Sequence, residues 1–412
     1  MVVSIKVIKR RMHMLHDLLN RYPKRSGLIA ILLFMTVRIM FRKQPMETGM
    51  DVNTWLKTPY FGCDVSFIGY GHKFAVLRYA HIDVKTRTFS IPCVGYKPYY
   101  RFTEVREGNI LNKWMKNMTL YEYSYSESIK TTTIAIFRIK AHNLFNSMCD
   151  WYNLFLVCTL LNLDPKQVTI LFMDDRPPSL LEDLWFILFG KIARYQFMPR
   201  ENVYKTLVWN IFGYDSPLNT QTLPTLPYLT EFRDFMFNSY DIRPVENLNC
   251  KRLNIIIIYR RDFISHPERT NALVYRKFYN NSELLAEVRI AFRGHHVRGM
   301  FLEYFSMKEQ LKVMTETDIL VGMHGAGMTH ILFLPPHAGF FEIFPKYVDF
   351  HDRYKALATW KGIRYIAWKN TDPKNEFPDF KTRIPSGVLI EHLKILKRKL
   401  CGNKPRTDYP TY

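Results

Sequence analysis

The stretch DILVGMHGAGMTHILFLP, Asp318–Pro335, holds an apolar run that stops at Met323, passes through His324, Gly325, Ala326 and Gly327, and then resumes. An apolar segment of that kind reads as a buried strand, and one broken by two glycines reads as a strand that turns tightly into a helix. The residues on either side alternate in the same way. LNIIIIY (Leu253–Tyr259) is an unbroken apolar run, as expected of a parallel strand covered on both faces. HVRGMFLEYF holds a further strand. SMKEQLKVMTET is a helix opened by a capping box of Ser306 and Glu309. GFFEIF is a strand, DRYKALATWKG a helix and RYIAW a strand. Strands alternating with helices predict a parallel sheet.

Upstream the pattern is less regular. FAVLRYAHIDV lies in a β-rich region between Gly62 and Phe102, and the polar stretch Tyr121–Ser128 reads as a loop or a hairpin edge. TTTIAIFRI is a strand by its β-branched content, AHNLFNSMCDWYNLFLVCTLLNL (Ala141–Leu163) a long core helix, and VTILFMDD a buried strand ending in two carboxylates. Residues 214–248, rich in Pro, Asn and Thr, read as the region between two domains. The expectation is an α/β chain with two Rossmann-type domains facing a cleft, divided as 1–45 (basic tail and apolar segment), 46–245 and 246–412.

At 412 residues the chain is long enough for two cores, and a hydrophobic content of 47% excludes a disordered protein. The net charge of +21 calls for an anionic partner. No zinc-finger spacing, RNP-type aromatic motif or helix-turn-helix signature accompanies it, so nucleic acid is not the expected partner. Lys6, Lys9, Arg10, Arg11, Arg21, Lys24 and Arg25 precede an apolar stretch, GLIAILLFMTVRIMF (Gly27–Phe41). A signal anchor, a cleaved signal peptide and a buried helix all suit such a stretch. The basic flank and the lack of a clear cleavage site favour the anchor, with a type II orientation and membrane attachment through this segment. Six scattered cysteines with no CxxC do not suggest a metal centre, and they suit either disulfides or free thiols. Sequons at Asn117 and Asn280 agree with exposure to a secretory lumen, in the endoplasmic reticulum or Golgi.

The glycine-bearing turn is where chemistry is expected. In doubly wound sheets ligands bind beyond the carboxyl ends of the strands. Gly325 and Gly327 would let a ligand approach the backbone and permit positive φ. Free amides from Ala326 through Gly327, Met328 and Thr329 to His330, with the helix dipole, would favour an anion, a diphosphate above all. His324 and Thr329 would add side-chain donors. A tight turn needed only for packing also satisfies HGAG. The GxGxxG spacing and a Walker lysine are both missing, which removes the NAD and P-loop readings. Arg260 and Arg261 end a strand at the same edge, and Arg269 and Asn271 follow. Arginine suits phosphate because its planar fork donates two bonds. Glu342 lies inside an apolar strand, where it would accept from ribose hydroxyls or form a structural ion pair.

These residues resemble glycosyltransferase family 61, its O-GlcNAc-transferring members in particular. The blocks that carry the resemblance are DILVGMHGAGMTHILFLP, FFEIFPKYVDFHDRYKALATWKGIRYIAWKN and IIIIYRRDFISHPERTN followed by NNSELL. The last places Arg260, Arg269, Asn271 and Glu283 on the family's pattern. HNLFNSMCDWYNLF is similar to the family's acceptor-side helix. The resemblance covers roughly 140–370, strongly from 253. It implies an inverting GT-B enzyme of the secretory pathway. A UDP-sugar donor, UDP-GlcNAc ahead of UDP-xylose, would pass its sugar to a protein or glycan hydroxyl, with no prosthetic group. Two departures stand out: Asn146 and Ser147 replace histidines usual in that helix, and no DxD-like triplet lies near Gly190–Ile192, which argues against metal dependence. An inverting transfer needs a base for the acceptor proton. The candidates are Asp150, then His142 and Asp175. The rival reading is a member of the family that binds without turnover.

Overall fold

The computed structural model describes residues 51–94, 117–122, 128–245, 247–263 and 273–402. The basic tail with its apolar segment lies outside the described residues, as do Arg269 and Asn271. No helix among the described residues is long and apolar enough to cross a membrane. From Asp51 onward the chain forms one compact unit built on two large sheets.

The first sheet contains nine strands: β1 (Tyr60–Gly62), β2 (Phe67–Tyr70), β3 (Phe74–Asp83), β4 (Thr88–Pro92), β5 (Thr119–Tyr121), β6 (Thr133–Ile136), β7 (Thr169–Phe172), β8 (Lys191–Arg194) and β9 (Glu201–Trp209). Their order is β1-β2-β3-β9-β6-β7-β8, with β4 on β3 and β5 on β4. The expected Rossmann-type domain is only half present. β9, β6, β7 and β8 pair in parallel, but β1, β2, β3 and β4 form antiparallel pairs, and β3 joins the parallel half through an antiparallel pairing with β9. The reason is local. β2 and β3 are joined by a short turn through Gly71, and β3 and β4 by another through Arg87, and both turns contain residues at positive φ. Turns this short permit only antiparallel neighbours.

The long helix Leu144–Leu160 forms as expected, capped by Asn143, whose side chain accepts from the amide of Asn146. Nearly all of it is buried, which explains why its apolar residues run around the whole circumference. Beside it, Arg138 is fully buried and pairs with both oxygens of Asp174 and with Glu182. Such a network is tolerated because every charge has a partner.

The second sheet follows the sequence closely. It holds β10 (Asn254–Tyr259), β12 (His296–Phe301), β13 (Ile319–Met323), β14 (Gly339–Phe344) and β15 (Arg364–Lys369), all parallel, in the order β12-β10-β13-β14-β15. A small three-stranded sheet of β11 (Lys277–Phe278), β16 (Glu376–Phe377) and β17 (Lys381–Thr382) flanks it. The helices Asn281–Ala291 and Ser386–Cys401 cover one face of the second sheet and the segment Ala326–Phe333 packs on the other, Met328 over Gly322, so β13 and β14 are buried along their whole length. The capping box of Ser306 and Glu309 opens the helix Met307–Thr315.

The chain leaves β10 for β12 on one side and then crosses to β13 on the other. That reversal opens a crevice beyond the carboxyl ends of β10 and β13, the switch point of a doubly wound sheet. Arg260 is the residue after β10, and His324 the residue after β13.

The region expected between the domains is structured. It contains the helix Leu229–Asn238 and buries Leu218, Leu223 and Leu226. Nε1 of Trp360 donates to the Leu223 carbonyl at 2.7 Å, tying this segment to the second sheet's helices. The cysteines resolve into two bridges, Cys63–Cys93 and Cys250–Cys401, and two buried thiols, Cys149 and Cys158.

Candidate functional site

A cleft of about 360 Å³ lies between the two sheets. Lys140, Asn143, Phe145, Asn146, Tyr214 and Asn219 line it from the first half of the chain, and Arg276, His324, Gly325, Ala326, Arg353 and Tyr354 from the second. The glycine-bearing turn is therefore a wall of the cleft. Among the lining residues there is no Asp or Glu.

The turn differs from expectation in form. Ala326–Phe333 is a 3-10 helix rather than an α-helix, because the Met328 amide closes back on the Gly325 carbonyl at 2.8 Å and the Thr329 hydroxyl donates to the Ala326 carbonyl at 2.7 Å. A 3-10 start leaves the amides of Ala326 and Gly327 without an intrahelical acceptor. Neither Gly325 nor Gly327 takes the left-handed conformation expected of them. Gly325 leaves room for Arg260: a Cβ there would stand 2.8 Å from its Nη1, and the guanidinium would have to shift. At Gly327 a Cβ would meet no protein atom within 4 Å. Thr329 is fully buried with its hydroxyl used inside the turn, and Met328 packs inward over Gly322, so neither offers a ligand donor.

Three arginines surround the turn. Nη1 of Arg260 and Nε of Arg276 and of Arg353 are buried without a hydrogen-bond partner among the described residues. Arg260 lies behind Gly325 rather than on the cleft surface, and burial, aided by Arg276, pulls its pKa down to about 10. Burial likewise lowers that of Arg276. Arg276 has a left-handed backbone (φ 64°), held by the bond from its amide to the Tyr347 hydroxyl. Such strain at a side chain that enters a cleft is characteristic of functional positions. Arg261 turns away, pairing with Glu303 and lying over Tyr304.

His324 is buried, stacks on Phe344 and His351, and places Nδ1 2.6 Å from Oε1 of Glu342. Burial, with Arg276, His351, Arg353 and Arg260 nearby, pushes its pKa down to about 3. Glu342 has no exposed surface. Its other oxygen accepts from the Tyr365 hydroxyl at 2.8 Å, and burial pushes its pKa up to about 8. It is therefore a support for His324, with no oxygen free for a ribose.

The expected bases do not line the cleft. Asp150 is buried in the long helix with its carboxylate against Gly213, and burial, with Asp174 close by, raises its pKa well above the carboxylate range. Asp175 points to another surface, where it pairs with Arg87 at 3.1 Å and accepts from Tyr195 and Gln196. His142 is half-buried beside the cleft but is not part of its lining. Of the two departures in the long helix, Asn146 lines the cleft and Ser147 is buried, donating to the Ala141 carbonyl. Glu283 is exposed and faces Arg383 at 3.6 Å. Asn117 is exposed, whereas both amide atoms of Asn280 are bonded to the backbone of Ile384, including the nitrogen a glycan would take. Among the described residues no group of three or more His, Cys, Asp and Glu side chains is placed to hold a metal ion.

Arg276, Arg353, Lys140 and Tyr214 were not singled out by the sequence. The only signal open to it was the position of Arg353 at the start of a helix that follows a strand.

A parallel, doubly wound sheet with a glycine-bearing turn and buried arginine nitrogens without described partners at its switch point defines a class of α/β proteins in which ligands bind beyond the carboxyl ends of the strands. Within that class the chain belongs to the family described as Glycosyltransferase 61, which it matches over residues 12–341. It is 23% identical over 273 residues to the beta-1,2-xylosyltransferase RCN11 of Oryza sativa subsp. japonica, covering 60% of this chain and 50% of that one. It is 27% identical over 288 residues to the EGF domain-specific O-linked N-acetylglucosamine transferase of Drosophila melanogaster, covering 64% of this chain and 52% of that one. The chain thus spans about half the length of these curated relatives. Among solved structures, a family 9 glycosyl transferase from Veillonella parvula aligns over 66% of this chain and 98% of that one, at 8% identity and a TM-score of 0.34, too low to argue from.

Proposed function

We propose that the protein is an inverting glycosyltransferase of GT-B type that binds a UDP-sugar in the cleft and transfers the sugar to a protein or glycan hydroxyl. The observation that carries this reading is the charge pattern around the turn. Three guanidinium groups stand there with donors unpaired among the described residues, next to two backbone amides, and no carboxylate of the described residues lines the cleft. Burying cations without partners is costly, and a diphosphate would repay that cost. The open space at Gly327 suits a ligand that comes close to the backbone. In turnover the same donors would stabilise the charge on the departing UDP.

GlcNAc is the proposed sugar, and a pentose such as xylose the second choice. The blocks around the turn favour the first, and the match to a plant xylosyltransferase supports the second. The proposed setting is the secretory lumen, with the N-terminal apolar segment as anchor. Two disulfides support an oxidising compartment.

The replacement of the usual histidines by Asn146 and Ser147, with no carboxylate among the described lining residues, favours one rival, a family member that binds the nucleotide sugar without turnover. The test has two parts. UDP, UDP-GlcNAc and UDP-xylose are compared by thermal shift on wild type, Arg276→Ala and Arg353→Ala, since a ligand bound by the native state raises its stability. Release of UDP is then followed with candidate acceptors. Stabilisation of the wild type alone supports the site. Equal stabilisation of all three proteins removes it, and binding without any UDP release selects the rival.

A further inference from the structure

Glu342 and His324 share one short contact, and the proton in it decides what the imidazole offers the cleft. Oε2 of Glu342 accepts from Tyr365, and Oε1 faces Nδ1 of His324. Nδ1 is thus occupied, and Nε2 is the ring nitrogen left for a ligand.

Three arrangements are chemically open. An imidazolium against a carboxylate would add a positive charge to a ring already faced by Arg260, Arg276 and Arg353. An imidazole with Nδ1–H against a carboxylate would leave a negative charge at a group with no exposed surface and no Lys or Arg among its described hydrogen-bond partners. A carboxylic acid that donates to Nδ1 leaves both groups neutral and requires no buried charge.

We infer that Glu342 is a positioning residue that works as a carboxylic acid: it donates a hydrogen bond to Nδ1 of His324, holds the Nε2–H tautomer, and so gives the cleft a neutral donor for a phosphoryl oxygen. The inference rests on the diphosphate reading above. It replaces the expectation that Glu342 binds ribose, and it explains why a carboxyl group sits in the middle of an apolar strand. The pKa directions agree, with Glu342 pushed up to about 8 and His324 down to about 3.

A pH dependence follows. The charged and titratable groups facing the pair are Arg260 after β10, Arg276 before β11, His351, Arg353 and Tyr354 after β14, and Tyr365 on β15. A bound diphosphate adds negative charge, which disfavours the carboxylate further, so the ligand binds the acid form. Affinity is then complete below the Glu342 pKa and is lost as pH rises through about 8. Arg260 keeps its charge across this range, so the fall belongs to the carboxyl group.

The probe is UDP, titrated calorimetrically into the full chain between pH ~7 and ~9, where its terminal phosphate is already ionised. Wild-type affinity is expected to fall above pH ~8, approaching tenfold per pH unit. Glu342→Gln keeps a donor to Nδ1 but has no proton to lose. It should recover most of the affinity that Glu342→Ala loses, and it should be flat across the window. A Glu342→Gln variant that binds UDP as poorly as Glu342→Ala would overturn the inference. Nitrogen NMR of ¹⁵N-histidine in the ligand-free protein, assigned with His324→Asn, supplies a second measurement that needs no variant of Glu342. A protonated Nε2 at pH ~7 supports the assignment, and a protonated Nδ1 ends it. If the wild type binds no UDP at any pH, the diphosphate reading falls, while the ¹⁵N spectrum still decides the tautomer.

Discussion

The guanidinium of Arg353 lies over the ring of Phe145, 4.4 Å from its centroid. Arg353 opens the helix that follows β14, and Phe145 stands in the first turn of the helix Leu144–Leu160. A cation on one wall of the cleft is therefore held in place by an aromatic ring on the other. Phe145 also meets Tyr354 edge to face. Phe145→Leu keeps most of the buried volume and removes the ring. A cation–π contact contributes ~0.5–2 kcal/mol, so UDP affinity should fall ~2- to 30-fold with a modest loss of thermal stability. An unchanged Kd would mean that Arg353 keeps its place without the ring.

Gly327 separates a folding requirement from a ligand requirement. Its backbone is not left-handed, and none of the described residues occupies the space of a Cβ. Gly327→Ala should leave thermal stability unchanged or raise it by up to ~1 kcal/mol, because the unfolded chain loses freedom. UDP binding should weaken at least tenfold, because the added methyl stands where the ligand approaches. Calorimetric titration and thermal unfolding of the same preparation decide between the two effects.

Asp150 offers a test of the base. Its raised pKa means the folded protein holds a proton that the unfolded chain releases above pH ~4. The wild type therefore loses stability as pH rises from ~4 toward the folded pKa. Asp150→Asn should be more stable than wild type at pH ~8, with the difference shrinking toward pH ~4. Sugar transfer should stay within a few-fold of wild type. Loss of turnover by ~100-fold or more at full stability would restore Asp150 as the base.

The Cys250–Cys401 bridge joins the segment before β10 to the end of the last helix, across 151 residues. Replacing both cysteines by serine should cost ~2–5 kcal/mol, read as a lower urea midpoint. The pair Cys149 and Cys158 should resist thiol reagents in the native protein, since burial pushes both thiols up, to about 12 for Cys158.

The second sheet was legible in the sequence because its strands are buried on both faces, which writes them as unbroken apolar runs such as Ile255–Ile258, and because its helices carry local signals such as Ser306 and Glu309. The antiparallel half of the first sheet was not. Its register is set by short turns through residues at positive φ, Gly71 and His72 before β3 and Arg87 after it, with Tyr79 at positive φ inside the strand itself, and no periodicity announces these. The site was half legible. His324 and Gly325 lie in one contiguous motif, and Arg260 at a strand end. Arg276 and Arg353 are single residues that only the fold brings to the same place. Glu342 was visible as an anomaly, but its partner Tyr365 is 23 residues away, on the next strand, and without that contact its role could not be read.

The Cys250–Cys401 bridge also orders events during synthesis. Its second thiol belongs to the final turn of the helix Ser386–Cys401, whose Leu389, Leu393 and Leu396 seal one face of the sheet that carries the glycine-bearing turn. Until residue 401 has been made, that face lacks its cover and Cys250 lacks the partner it has in the folded chain. Covering of the sheet that carries the turn is thus a late step, its bridge needs an oxidant to form, and a chain halted before its last helix would keep that face open and Cys250 without its bridge partner.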